Sequence, residues 1–181
     1  MAKLHASLRY DPLSMFGKEG HDPFLASWSS RMDKAKSSLR QKQKDLKLGW
    51  LELPFDQEAE RRVLSLGREL QKYDTLVVVG IGGSDLGTRA ILQALPTKKR
   101  VLFMGDTTDP DAIKSTLAQI DWKKSVVNIV SKSGDTVEPM TTFLLLRDRM
   151  KRSIGHAFSH QIVATTDAKK GKLRLWAQGE G

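Results

Sequence analysis

Two short segments carry residue types suited to holding an anion. Ser131-Lys132-Ser133-Gly134-Asp135-Thr136 places three hydroxyls and one ammonium within six residues, just before an apolar stretch of helical period that starts at Val137. A helix amino terminus is partly positive, so a phosphate monoester there would gain several charge-assisted hydrogen bonds at once. Gly134 lets the main chain turn with no side chain in the way, and Pro139 is tolerated because a first-turn N–H has no helical partner. The same residues also suit an ordinary capping turn, with Thr136 as the cap and Asp135 or Glu138 favouring the positive end. The second segment, Gly80-Ile-Gly-Gly-Ser-Asp-Leu-Gly87, is a glycine-rich turn that opens a helix and leaves main-chain N–H groups facing a ligand. A strand-to-helix turn that needs glycine only to change direction would read the same way.

Other chemistries fit less well. A dinucleotide fingerprint would require glycine at position 85, where Asp85 would instead bring a carboxylate close to a pyrophosphate; Asp106, near the spacing of a ribose-binding acid, does not rescue that reading. No glycine-lysine-serine/threonine follows a strand as in a Walker loop. His156 and His160, beside Ser153 and Ser159, fall in a loop-like segment and read as a hydrated surface pair. Glu138 as a base would stand beside a dianion and a helix terminus that stabilises its ionised form, which favours a structural role. No His, Cys or carboxylate spacing matches a metal site, and the chain has no cysteine for thiolate chemistry or disulfides.

The elements that must position these turns follow from hydrophobic pattern. Residues 75–80, 100–104, 125–130 and 161–165 are continuous apolar, β-branched runs without alternation, as expected for parallel strands buried on both faces. Between them lie stripes of helical period: Leu86, Ala90, Ile91 and Ala94; Ile113, Leu117 and Ile120; Val137, Met140, Phe143 and Leu144; then Leu173 and Trp176. Strand and helix alternate, which predicts a parallel sheet with right-handed crossovers, helices on both faces, and ligands beyond the carboxyl ends of the strands. Before Pro54, Pro12, Gly17, Gly20, Pro23 and Gly49 are expected to divide a helical extension into short pieces, and Asp56 is the expected cap of the helix that follows. The domain reading is therefore an extension over 1–54 and an α/β domain over 55–181.

The 181 residues are 39% apolar and 28% charged with net charge +9, an ordinary soluble composition that favours anionic partners such as phosphorylated metabolites or nucleic acid. Much of the excess lies in Arg31, Lys34, Lys36, Arg40, Lys42, Lys44 and Lys47, interleaved at helical spacing with Leu25, Trp28, Met32, Ala35, Leu39 and Leu46. No aromatic residues interleave the charges as a stacking platform, so this is read as a solvated basic face and no nucleic-acid partner is expected. No apolar run approaches membrane-spanning length, and residues 1–9 lack the features of a secretory signal, so the expectation is a cytoplasmic protein with no membrane partner.

The Gly80–Ser84 and Ser131–Thr136 turns together resemble the paired signatures of sugar isomerase (SIS) domains. Gly49-Trp50-Leu-Glu-Leu-Pro54, Asp74 through Leu95, and Asn128-Ile-Val-Ser-Lys-Ser-Gly-Asp-Thr-Val-Glu-Pro139 narrow the resemblance to bacterial glucose-6-phosphate isomerases, over residues 49–181. The resemblance implies a three-layer α/β sandwich with a flavodoxin-like parallel sheet, lacking its last strand here. It implies that Ser131, Lys132, Ser133 and Thr136 hold a substrate phosphate, and that Gly83 and Ser84 lie against the sugar. Asp135 stands where many such isomerases carry threonine, and no ligand role is carried over to it. Family members interconvert glucose 6-phosphate and fructose 6-phosphate in glycolysis and gluconeogenesis through a cis-enediol, without metal or cofactor. Their glutamate base, histidine and lysine lie beyond the matched region, so no catalytic residue is expected in this chain, and the chain alone is expected to be inactive. The missing partner is a carboxyl-terminal SIS domain, with a homodimer expected when complete. A free-standing, non-catalytic phosphosugar-binding module is the alternative.

Overall fold

The computed structural model describes residues 13–46, 48–95 and 97–179, with side chains described from residue 26 onward except that of Leu46. The chain divides into two compact units, with the break between Arg61 and Arg62. In the first, α1 runs unbroken over Leu13–Leu46 for 34 residues, which corrects the expectation of short pieces. Gly17, Gly20 and Pro23 lie inside it. Starting a helix is costly while extending one is cheap, so the amphipathic segment that follows these residues carries the helix back through them. Gly49 and Pro54 do punctuate the chain, in the 3-10 turns Gly49–Leu51 and Leu53–Phe55. Pro12 and Lys47 lie outside the described residues. Asp56 caps α2 (Gln57–Leu70) as expected, accepting from the N–H groups of Glu58 and Ala59 at 3.1 and 2.9 Å.

The second unit is built on four parallel strands, β1 (Thr75–Val79), β2 (Arg100–Met104), β3 (Ser125–Ser131) and β4 (Ile162–Thr166), in the order β2-β1-β3-β4. All four lie within one residue of the apolar runs that announced them. Thr75 pairs with both Arg100 and Ser125, and Val79 with both Met104 and Ile129, so β1 is central and in register with its neighbours. The helices α3 (Leu86–Ala94), α4 (Pro110–Leu117), α5 (Val137–Ile154) and α6 (Lys172–Gly179) follow the strands in alternation.

One face of the sheet presents Val77, Val79, Met104, Val127 and Ile129 to α5 and α6, where Phe143, Leu146, Met150 and Leu173 are fully buried. Ile113 and Leu117 of α4 pack against the same cluster, and Trp176 meets Phe143 edge-on at 4.7 Å. Each such buried side chain contributes about 1.5–3 kcal/mol. The opposite face carries Leu76, Val101 and Val126, which line an apolar groove of about 340 Å³ with Leu70, Tyr73 and Leu92. This groove sits at the amino ends of the strands, away from the turns singled out above. Among the described residues, no helix is long and apolar enough to cross a membrane and no cluster of His, Cys, Asp and Glu could hold a metal ion.

Candidate functional site

Because the strands are parallel, their carboxyl ends share one edge, and β1 and β3 are neighbours there. The chain leaves β1 for β2 on one side and returns to β3 on the other, so the two turns flank the point where strand order reverses. Open parallel sheets form their ligand crevices at that point. A third turn ties the two together. A Cβ on Gly105 (φ +94°), just after β2, would lie 3.1 Å from Gly80 N and 3.4 Å from the Pro139 Cα, so a side chain there would be strained and would crowd both the glycine-rich turn and the first turn of α5.

The hydroxyls of the second turn face one another. Ser131 Oγ lies 3.1 Å from Thr136 Oγ1 and also accepts from the N–H of Gly134 at 3.1 Å. Ser133 Oγ lies 3.4 Å from Thr136 Oγ1 and accepts from the N–H of Asp135 at 3.2 Å. Thr136 occupies the N-cap position of α5, yet its side chain makes no capping hydrogen bond. The first-turn N–H donors of an 18-residue helix are therefore not satisfied by the residue best suited to do so. Lys132 and Ser133 are exposed and Thr136 is half-buried, whereas Ser131, the last residue of β3, is only 2% exposed and turns its hydroxyl into the loop. In the glycine-rich turn, Gly82 adopts φ +61° and Gly82–Ser84 forms a 3-10 turn, with Gly83 exposed and Ser84 half-buried.

A brace on the hydroxyl loop was not legible in the sequence. The N–H of Asp167 donates to the carbonyl of Lys132 at 3.3 Å, and that of Leu173 to the carbonyl of Gly134 at 3.1 Å. Asp135 Oδ1 accepts from the N–H of Lys172 at 3.2 Å, which turns that carboxylate toward the start of α6. Gly171 (φ +93°) lies flat against Ser133. The brace itself is tightened by Asp167, whose carboxylate accepts from the N–H groups of Lys169 and Lys170; these bonds, led by that from Lys169, hold its pKa below 3.8. Lys169, Lys170 and Lys172 add exposed positive charge beside Lys132. The available signal was a glycine between two lysines at a strand-to-helix turn. His156 and His160 are both exposed in the 3-10 segment Gly155–Gln161, away from these turns in the fold.

Comparison with known proteins shows the family. The family model for phosphoglucose isomerase matches residues 63–173, which include both turns and the brace as far as Leu173. The glucose-6-phosphate isomerase of Leptospira interrogans is 34% identical over 172 residues, covering 88% of this chain and 38% of that protein. The glucose-6-phosphate isomerase of Symbiobacterium thermophilum is 38% identical over 149 residues, covering 74% and 33%. A crystal structure of a hypothetical protein from Thermus thermophilus superposes with a TM-score of 0.82 at 32% identity, over 91% of this chain and 40% of that one. The chain thus spans between about a third and two fifths of the length of these relatives. With the family model matching well over half of its residues, the chain belongs to the phosphoglucose isomerase family.

Proposed function

We propose that this chain is the amino-terminal, phosphosugar-binding part of a glucose-6-phosphate isomerase. In the complete protein, the reaction is the reversible aldose-ketose isomerisation of glucose 6-phosphate to fructose 6-phosphate. The observation that carries the reading is the Ser131–Ser133–Thr136 hydroxyl cluster over the uncapped start of α5, at the point where strand order reverses. Lys132, Ser133 and Thr136 would meet the phosphate with the first-turn N–H groups of α5, an arrangement that suits a dianion. Ser131 would act chiefly by holding Thr136 and Gly134 in place, and Gly83 and Ser84 would lie against the sugar. The acid/base groups would come from sequence outside this chain, and a second SIS domain and a homodimer complete the proposal.

The test is calorimetric titration of the 181-residue chain with glucose 6-phosphate, glucose and inorganic phosphate. Both phosphate-bearing ligands should bind and glucose should not. Thr136→Val should weaken both by about 1–3 kcal/mol, the cost of losing a hydrogen bond to a charged group. Equal affinity for glucose and its 6-phosphate, or unchanged affinities in the variant, would remove the site.

A further inference from the structure

We infer that Arg89 is a positioning residue for the sugar-facing turn, locking Gly83 and Ser84 in place through Asp85 on one side and Asp106 on the other; the inference rests on the phosphosugar reading above. Asp85 directly follows the Gly82–Ser84 turn and is 3% exposed. It stands at the N-cap position of α3 but makes no side-chain capping bond. Its Oδ2 instead accepts from Arg89 Nε at 2.7 Å, while its buried Oδ1 has no hydrogen-bond partner. A buried carboxylate is held by whichever donors reach it, and here that is the guanidinium, so the position of Asp85 depends on Arg89.

Arg89 is held in turn from two further directions. Its Nη2 donates to Asp106 Oδ2 at 3.1 Å, and its guanidinium lies 4.2 Å from the centroid of the Phe103 ring. Asp106 follows Gly105, the glycine wedged between Gly80 and Pro139. Arg89 therefore ties the turn after β1 to the turn after β2, and through Gly105 both are referred to the start of α5. A planar fork can span two carboxylates while stacking on a ring, and an ammonium cannot do all three. The contacts reach the sugar-facing turn and not the hydroxyls of Ser131, Ser133 and Thr136, so the effect should depend on which part of the ligand is probed.

Arg89→Lys keeps the local charge and removes the fork. Asp106→Asn, at a side chain 46% exposed, takes the charge out of the tie to β2 and so weakens it, while leaving Asp85 its partner. In calorimetry on the full chain, each variant should bind glucose 6-phosphate about tenfold more weakly, in line with one lost charged hydrogen bond, with inorganic phosphate within about twofold of the parent. Arg89→Lys should lose more than Asp106→Asn. Affinities that fall equally for both ligands, or for neither, overturn the positioning role. A parent chain that binds neither ligand overturns the phosphosugar reading itself, and this inference with it.

Discussion

Replacing Gly171 by alanine should both destabilise the second unit and loosen the hydroxyl loop. Gly171 sits at φ +93°, where an L-residue is strained by about 1–3 kcal/mol. A Cβ there would lie 2.2 Å from the carbonyl oxygen of Ser133, 3.0 Å from its carbonyl carbon and 3.1 Å from Gly134 Cα. All three are main-chain atoms, so no rotamer change relieves the contact. To restore even a 3.0 Å approach, the two segments must part by about 0.8 Å. That movement falls on the Leu173–Gly134 and Lys172–Asp135 hydrogen bonds, worth about 1 kcal/mol each. The sum is roughly 3–5 kcal/mol, which in a unit of this size lowers Tm by about 6–20 °C. Thermal unfolding by circular dichroism reads the stability, and calorimetry with inorganic phosphate reads the loop. A variant whose Tm stays within about 2 °C of the parent and whose phosphate affinity is unchanged would refute the idea that this glycine holds the loop.

Gly67, in the interior of α2 with nothing within 4 Å of a Cβ, makes the opposite case, and Gly67→Ala should raise stability by about 0.4–1 kcal/mol in a denaturant titration. Acid should act in two separate ranges. The folded pKa of Asp167 lies below 3.8, so the stability it adds is fully present above that value and is lost as pH falls through the lowered one. A phosphate monoester, with a second pKa near 6, loses its second charge earlier. Affinity for glucose 6-phosphate should therefore decline between about pH 7 and 5 alike in the parent and in Asp167→Asn, while the parent's Tm advantage over that variant should hold above about pH 4 and shrink as the pH falls further.

The parts of the fold that could be read from sequence are those governed by local pattern. Thr75–Val79 is a run of β-branched and apolar residues whose pattern admits only burial on both faces, and Val77, Val78 and Val79 are all buried. Asp56 was legible as a cap because its partners lie two and three residues ahead. The continuity of α1 through Gly17, Gly20 and Pro23 is not legible locally: each glycine costs about 1 kcal/mol and the proline about 3, and it is the length of helix beyond them that outweighs these costs. The pairing of Asp85 with Arg89 has an ordinary one-turn helical spacing, but Asp106 joins it from 17 residues away, at the end of a different strand, where no local pattern links the two.

The hydroxyl loop shows most clearly why sequence stops short of function here. Ser-Lys-Ser-Gly-Asp-Thr before a helix is compatible with a capping turn or an anion cradle, because the same side chains serve either by small rotations. The difference lies in Thr136: a capping threonine would spend its hydroxyl on an N–H of the first turn, but this one turns it toward Ser131 and Ser133. Its rotation is constrained by Ser131, fixed at the end of β3, and the loop's path by Gly171 and Leu173, which return from beyond β4. Contacts across 37 residues, such as that between Asp135 and Lys172, thus help hold the arrangement on which the proposed phosphate site rests, and no local pattern could have revealed them.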